Sequence, residues 1–391
     1  MTYRHTMYAS FIGYIVQAIV NNFVPLLFLT FQSSYHIPLS QITLLVAFNF
    51  GLQLCVDALS ISFIDTIGYR ASMILANGMA AAGLILLTIL PEVLPPFAGI
   101  LLSVMVYAVG GGLLEVVVSP IVESCPTENK EMAMSLLHSF YCWGHMAVVL
   151  LSTGVFLCLG IRHWKIMAVL WALVPIADGI LFTKVPMYTL QEDHKSPFHI
   201  RDLASGGVFW IFILLMLCAG ASEQAVSQWA STFAEKSLHM AKWAGDLAGP
   251  TLFALFMGAS RAFYGKWGDR LDLKKAMLIS GGLCMASYML IAWVPLAGAG
   301  FCGMALCGFS VGIMWPGTMS LATATLKGGS TTMFALFALA GDLGCGLGPS
   351  VAGFVSSSAG DNLRLGILAA LIFPVLLVAG VWGICEGVFA G

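Results

Sequence analysis

Long apolar runs separated by short polar connections extend along the whole chain, and each run is long enough to cross a bilayer. A transmembrane helix needs roughly 20 apolar residues, and only helices or closed barrels satisfy their backbone hydrogen bonds in hydrocarbon. No barrel pattern is present, so the runs predict twelve transmembrane helices. They cover about 8–31, 40–64, 71–90, 97–120, 132–159, 164–184, 206–231, 245–265, 274–293, 297–320, 330–357 and 363–386.

The longest polar stretch, residues 185–205, divides the chain almost in half. It contains Glu192, Asp193, Lys195 and Arg201. We interpret it as a linker between two six-helix units, residues 1–184 and 206–391. The predicted fold is an all-α membrane protein with two pseudo-symmetric bundles.

Composition narrows the class of protein. Hydrophobic residues make up 59% of the 391 residues and charged residues only 9%, against about 25% charged in an ordinary soluble domain. This excludes a soluble enzyme, a disordered chain, a disulfide scaffold and a nucleic-acid binder, and it makes the lipid bilayer the solvent. The net charge of −2 gives no reason to expect a polyanionic partner.

Lysine and arginine are distributed unevenly between the two sides of the predicted bundle. With the amino terminus in the cytoplasm, that side has eleven: Arg4, Arg70, Lys130, Lys184, Lys195, Arg201, Lys266, Arg270, Lys274, Lys275 and Lys327. The other side has five: Arg162, Lys165, Lys236, Lys242 and Arg364. Arg261 lies inside a span. The positive-inside rule then predicts that both termini and the linker are cytoplasmic, in a cell membrane.

Two loops in corresponding positions of the halves have similar sequences. The first has Asp65, Gly68 and Arg70, and the second has Gly265, Asp269 and Arg270. The second resembles the G-x-x-x-D-R-x-x-x-K signature of the major facilitator superfamily, whereas the first has Ile61 in place of the glycine. A carboxylate there can cap a helix and pair with a basic residue. We expect a conformational latch; a purely topological role for the basic residues is the alternative.

Five acidic residues lie well inside predicted spans: Asp57, Glu115, Asp178, Glu223 and Asp342. At mid-bilayer an ionised residue costs roughly 2.5–3.5 kcal/mol on the insertion scale, so each is a candidate functional residue. For Asp178 we predict a structural role. We expect Glu115, Glu223 and Asp57 to couple transport to an ion, because a carboxylate in a dry cavity can exchange a proton near neutral pH. The alternative is that they form inter-helix hydrogen bonds.

Amides, aromatics and acids share helix faces in several spans. Amides offer donors and acceptors to hydroxyl groups, and an indole face suits the apolar face of a sugar ring. Asn49 alone, by contrast, suggests helix packing. The predicted substrate-binding residues are Gln17, Asn21, Asn22, Gln53, Glu115, His138, Trp143, Glu223, Gln224, Gln228, Trp229, Trp315 and Asp342.

Three segments resemble the fucose permease-type sugar:cation symporters of that superfamily. They are Asn21-Asn22-Phe23 in span one, the run from Gly112 to Pro120 in span four, and the run from Ser135 to Phe140 with Gly144 in span five. The resemblance implies that Glu115 takes part in coupling and substrate binding. It places His138 where the family often has a substrate-binding amide. The family's span-one aspartate is replaced by Pro25. Either Glu115 acts with Glu223 instead, or the coupling ion differs and is sodium; we favour the proton.

The sequence therefore predicts a monomeric secondary transporter that moves a sugar-like solute with a cation by alternating access. The alternative is proton-antiport export of drugs or amphipathic metabolites, for which the 20 Met and 25 Phe residues give weak support. An enzyme would need a nucleophile with its base or a metal-ligand set, and neither motif occurs. We predict no catalytic residue, no metal site and no cofactor.

Overall fold

A computed structural model describes residues 1–127, 130–188, 206–267, 272–326 and 331–386, apart from some side chains within helices. The described residues are helical with no strand, and eleven helices are long and apolar enough to cross a membrane. The predicted fold class is confirmed. The chain divides into two compact units, Met1–Asp193 and His194–Gly391, at a boundary inside the predicted linker.

The N-terminal unit contains six spans. Its helices are α1 (Tyr3–Asn22), α2 (Phe28–Tyr35), α3 (Leu39–Val93), α4 (Pro96–Ser124), α5 (Lys130–Leu159) and α6 (Trp164–Phe182). Helix α3 consists of two spans joined at Gly68, where φ is +79° and ψ is 155°. Glycine tolerates this positive φ, which side chains rarely adopt. Helix α1 packs against α4, α5 and α6, and α3 packs against α4 and α6.

The C-terminal unit contains the remaining helices. They are α7 (Gly207–Ser227), α8 (Ala230–Lys236), α9 (Lys242–Ala248), α10 (Pro250–Trp267), α11 (Leu273–Trp293), α12 (Ala297–Val311), α13 (Met314–Thr325), α14 (Thr331–Ser358), α15 (Leu363–Ala370) and α16 (Ile372–Cys385). Five of its spans are among the eleven. The other predicted run forms the 18-residue helix α10, which contains Arg261.

Helix α11 begins at a capped turn outside the spans. Its N-cap residue Asp272 accepts a hydrogen bond from the backbone N–H of Lys275 at 3.3 Å. Such a bond satisfies one of the free N–H groups of the first turn. Together with the side-chain bond to Lys275, it holds the pKa of Asp272 below its usual value.

The first span of each unit is interrupted one turn or less beyond its polar residues. Helix α1 ends at Asn22 and continues as a 3-10 turn, Val24–Leu27, that contains Pro25. Helix α7 ends at Ser227, and the chain becomes helical again at Ala230. The two ends lie 227 − 22 = 205 residues apart, close to the separation of the two similar loops (269 − 65 = 204).

Equivalent glycines lie at equivalent helix contacts in the two units. A Cβ on Gly144 of α5 would lie 2.9 Å from Ala18 Cβ of α1. A Cβ on Gly344 of α14 would collide with the backbone of α7 at Leu217 and Ala221. Small residues permit this close approach of membrane helices. The α1–α5 contact and the α7–α14 contact are therefore two copies of one arrangement.

Candidate functional site

Three spans of the N-terminal unit contribute to a buried network of side-chain amides. Asn21 Oδ1 accepts from Gln53 Nε2 at 2.9 Å and from Asn49 Nδ2 at 3.2 Å. Gln17 Nε2 donates to Gln53 Oε1 at 3.0 Å and to Glu115 Oε2 at 3.1 Å. The structure thus brings the predicted residues Gln17, Asn21, Gln53 and Glu115 together, and it adds Asn49.

The helix spacing of these residues explains why they meet. Gln17 and Asn21 are four residues apart on α1, and Asn49 and Gln53 are four residues apart on α3, so each pair lies on one helix face. Glu115 approaches from α4. Two glycines of α4 admit the network: a Cβ at Gly111 would lie 3.1 Å from Gln53 Oε1, and one at Gly112 would lie 3.1 Å from Asp57 Oδ1.

Two acceptors of this network lack a hydrogen-bond partner among the residues that the structure describes. Gln17 Oε1 and Asn49 Oδ1 are buried, and no donor among the described residues reaches either atom. A buried polar atom without a hydrogen bond costs roughly 1–3 kcal/mol in protein mutational data. The two carbonyl oxygens are therefore positioned to accept from a donor that the described residues of the unit do not supply.

A pair of acids lies beside the amides. The carboxylate oxygens of Asp57 and Glu115 approach within 4.8 Å of one another. Asp57 is 5% exposed and lies one turn beyond Gln53 on α3. Two carboxylates at this distance repel when both are ionised, so a proton or a monovalent cation lowers their energy.

The other predicted residues of this unit make contacts outside the amide network. His138 packs edge-on against Tyr14, whose hydroxyl lies 3.2 Å from Ser119 Oγ. Asn22 donates to its own helix at Ala18 O (2.9 Å) and to the Tyr141 hydroxyl (3.4 Å). Trp143 is 50% exposed and makes no described hydrogen bond to the amides.

The C-terminal unit has a polar group of different character. Glu223 Oε2 forms an ion pair with Arg261 at 3.2 Å, and Glu223 Oε1 accepts from Gln224 Nε2 at 3.2 Å. Gln228 Nε2 continues the series by donating to Gln224 Oε1 at 3.1 Å. The sequence alone does not identify Arg261 as the partner of Glu223. The available indication was that Arg261, unlike the other lysines and arginines, was assigned to neither side of the membrane.

The aromatic residues predicted in this unit are embedded in helix packing. Trp229 is completely buried, and its indole N–H donates to Pro349 O at 2.9 Å. The ring of Trp315 lies against Gly341 of α14, where a Cβ would collide with it. Asp342, the next residue of α14, is partly exposed.

Among the predicted latch residues, Arg70 is the one whose side-chain hydrogen bonds the structure describes. Arg70 donates to Phe182 O at 2.7 Å and to Val185 O at 2.8 Å, at the end of α6. Asp269 and Arg270 lie outside the described residues, as does the side chain of Asp65. Gly68 is the kink of α3, and Gly265 lies within α10.

Secondary transporters typically have buried polar clusters and interrupted helices within their membrane-spanning bundles. Both units of this chain show these two features. The family model of the Major Facilitator Superfamily matches residues 7–349 and 251–387. The chain belongs to this superfamily. It is a multi-pass membrane transporter of a small-molecule substrate and not an enzyme, as the sequence predicts.

Solved structures of related fold cover almost the whole chain. The E. coli fucose:proton symporter FucP, in the form of a single-residue variant, has a TM-score of 0.67 at 18% identity, covering 98% of this chain and 99% of its own. A bacterial homolog of the human lysosomal transporter Spinster, inward-facing and unoccupied, has a TM-score of 0.76 at 14% identity, covering 99% and 98%. At these identities the likeness establishes the fold alone. Comparison with curated proteins finds no match.

Proposed function

We propose that this transporter moves a monosaccharide or a similar polyhydroxylated solute together with a cation. The observation that supports the proposal is the pair of unpartnered acceptors, Gln17 Oε1 and Asn49 Oδ1, in a buried network of amides. Hydroxyl groups of a sugar supply the donors that these atoms lack. An amphipathic drug has few such donors and leaves both atoms unsatisfied. Asn21, Gln53 and Glu115 complete the binding surface, with His138 at its edge.

The coupling cation is proposed to bind at Asp57 and Glu115. Their carboxylates lie within 4.8 Å, and Glu115 also accepts from Gln17. One proton or one sodium ion relieves the repulsion between the two acids. Since Gln17 contacts both Glu115 and Gln53, the cation and the solute would bind to adjoining parts of one network.

Glu223 is the weaker candidate for coupling because its carboxylate already has a cationic partner, Arg261. Gln224 and Gln228 extend from this ion pair along the end of α7. We propose that these two amides also contact the substrate during transport, as do Trp229, Trp315 and Asp342 of the same unit and, in the N-terminal unit, Asn22 and Trp143. The latch, the cytoplasmic termini, the location in the cell membrane and the monomeric state also belong to the proposal.

The test is counterflow in proteoliposomes with a panel of labelled neutral hexoses, at two pH values, with and without sodium. We expect exchange of at least one hexose and a dependence on pH or on sodium. Asp57→Asn and Glu115→Gln should each retain exchange of the solute but lose the ion dependence. Glu223→Gln is the comparison at a buried acid outside the proposed coupling site. Its transport is normalised to the amount of folded protein, because the change also breaks the ion pair with Arg261.

Three outcomes would count against the proposal. Absence of hexose exchange together with proton-driven dye extrusion would favour export of amphipathic compounds. Unchanged ion dependence in both Asp57→Asn and Glu115→Gln would remove the pair from coupling. Loss of the ion dependence in Glu223→Gln alone would move the coupling site to the C-terminal unit.

A further inference from the structure

A second buried acid in the N-terminal unit lies at the contact between α6 and α3. Asp178 of α6 and Asn77 of α3 are both completely buried. Asn77 Nδ2 donates to Asp178 Oδ2 at 2.9 Å and to Met73 O, one turn earlier, at 3.0 Å. The helices approach closely here, because a Cβ on Gly179 would lie 3.3 Å from Asn77 Cβ.

Both members of this pair have an oxygen without a partner. Asp178 Oδ1 and Asn77 Oδ1 are buried, and nothing in the described part of the chain hydrogen-bonds to either. Asn77 has already used both of its amide hydrogens. The pair therefore has two buried acceptors and no hydrogen left to donate between them. Leaving such acceptors without a hydrogen bond costs free energy of folding in an apolar interior.

No cation neutralises Asp178 among the residues that the structure describes. The cationic residue on the same face of α3 is Arg70, two turns before Asn77, and its guanidinium donates to Phe182 O and Val185 O. Helices α1 and α5 also pack against α6. Neither their Arg4 and His5 nor their His138 and His145 forms an ion pair or a hydrogen bond with Asp178. An ionised, unpaired carboxylate in such a place costs far more than a neutral one.

We propose that Asp178 is a proton-binding site, in which the neutral carboxyl group donates its Oδ1–H to Asn77 Oδ1. The proton comes from water and converts the carboxylate to the acid. A planar acid and a planar amide can then exchange two hydrogen bonds, N–H to carboxyl oxygen and O–H to amide oxygen. One proton satisfies both unpartnered oxygens and removes the buried charge.

This proton joins helices and is distinct from the cation proposed to drive transport. Two points of contact hold α6 and α3 together. One is the acid–amide pair, and the other is Arg70 of α3, which donates to carbonyl groups at the end of α6. Asp178 forms no described contact with the amides of α1 and α3 that surround Gln17. The proposal therefore stands whether or not the coupling cation binds at Asp57 and Glu115.

The first test is infrared spectroscopy of the purified protein in lipid. We expect the wild type to show a carbonyl band of a protonated carboxylic acid that shifts in D2O and is lost in Asp178→Asn. Asp272→Asn, a change at an exposed acid, should retain the band. Identical spectra of the wild type and Asp178→Asn would overturn the proposal.

The second test compares thermal stability of two variants. In Asp178→Asn the new amide can donate to Asn77 Oδ1 and accept from Asn77 Nδ2, so we expect the Tm of the wild type. Asp178→Leu removes the hydrogen-bond partner of Asn77 on α6 and should lower the Tm. Equal losses of Tm in both variants would show that the negative charge is needed and contradict the proposal.

Two further measurements separate misfolding and metal binding from proton binding at Asp178. If Asp178→Asn folds poorly, the exchange variant Asn77→Asp/Asp178→Asn keeps one acid and one amide, and it should restore both folding and the infrared band. Failure to restore them would count against the pair. The Tm is also measured in sodium, potassium and choline salts. If sodium alone raises the Tm of the wild type and does not raise that of Asp178→Asn, the site binds a metal cation in place of the proton.

Discussion

At the scale of single residues, the amide network depends on an absence of side chains on α4. Gly111 and Gly112 face Gln53, Gln17 and Asp57, and hypothetical Cβ atoms would approach the side-chain oxygens of these residues at 3.1–3.2 Å. Such separations are tighter than ordinary van der Waals contact, so even a methyl group would displace the amides. The glycines let α4 present Glu115 to the network without filling its space.

Gly111→Ala should therefore impair transport without impairing folding. The methyl group displaces the Gln17 and Gln53 side chains, while alanine favours the helix over glycine by roughly 1 kcal/mol. We expect uptake to fall about tenfold, equivalent to ~1.4 kcal/mol, with an unchanged or higher Tm. Uptake in proteoliposomes and thermal unfolding measure the two effects.

Gly78→Ala is the matched control, because a Cβ at Gly78 of α3 meets nothing within 4 Å. It should gain the same helix preference and keep its uptake. If both glycine variants transport equally well, the contact between α4 and the amides has no role in binding.

Residue types in this network were predictable from the sequence, but their partners were not. Gln17, Asn21, Gln53 and Glu115 stand out because polar groups are expensive in lipid. Asn49 alone suggests packing, and only its bond to Asn21 shows that it belongs to the network. The pairing of Arg261 with Glu223 spans 38 residues and depends on how α7 and α10 fold against each other.

At the scale of helices, the interruptions of α1 and α7 place polar residues at helix ends. The 3-10 turn after Asn22 begins with Val24 and Pro25. Proline has no backbone N–H to donate, so it disfavours a continuing α-helix. Hydrophobic periodicity predicts these spans well but does not show such breaks, because apolar residues continue through them. Transporter binding sites are typically built at discontinuous helices of this kind.

Pro25→Ala should make the first span more regular and slow transport. Alanine restores the N–H group and the preference for a continuous helix. We expect a higher Tm together with slower solute exchange. Hydrogen exchange of the backbone between residues 23 and 30 should become slower as the turn converts to α-helix.

Pro175→Ala provides the comparison for this effect. Pro175 is a buried proline inside α6, where the helix continues without a 3-10 turn. The variant Pro175→Ala should raise the Tm without slowing solute exchange. Equal transport rates in both proline variants would mean that the break after Asn22 is only a packing feature.

At the scale of the whole molecule, two copies of one six-helix unit have acquired different polar chemistry. The N-terminal network consists of amides and acids, whereas the C-terminal group contains an ion pair, Glu223 with Arg261, at 3.2 Å. The equivalent glycines Gly144 and Gly344 lie 200 residues apart, so the internal duplication makes their correspondence predictable from the sequence. The difference in polar chemistry is not predictable in this way. A shift of 202 residues (223 − 21) pairs Asn21 of the first unit with Glu223 of the second, and it gives no indication of a cation on α10.

The ion pair should behave as a buried unit of the C-terminal bundle. Its side chains are 9% and 19% exposed, and removing one partner of a buried pair typically costs about 3–5 kcal/mol, whereas replacing both is often neutral. Arg261→Gln should therefore lower the Tm strongly, and Glu223→Gln/Arg261→Gln should recover most of it. Lys275→Gln breaks the exposed pair with Asp272 and should change the Tm little. A double variant as unstable as Arg261→Gln would show that Arg261 acts through a group other than Glu223.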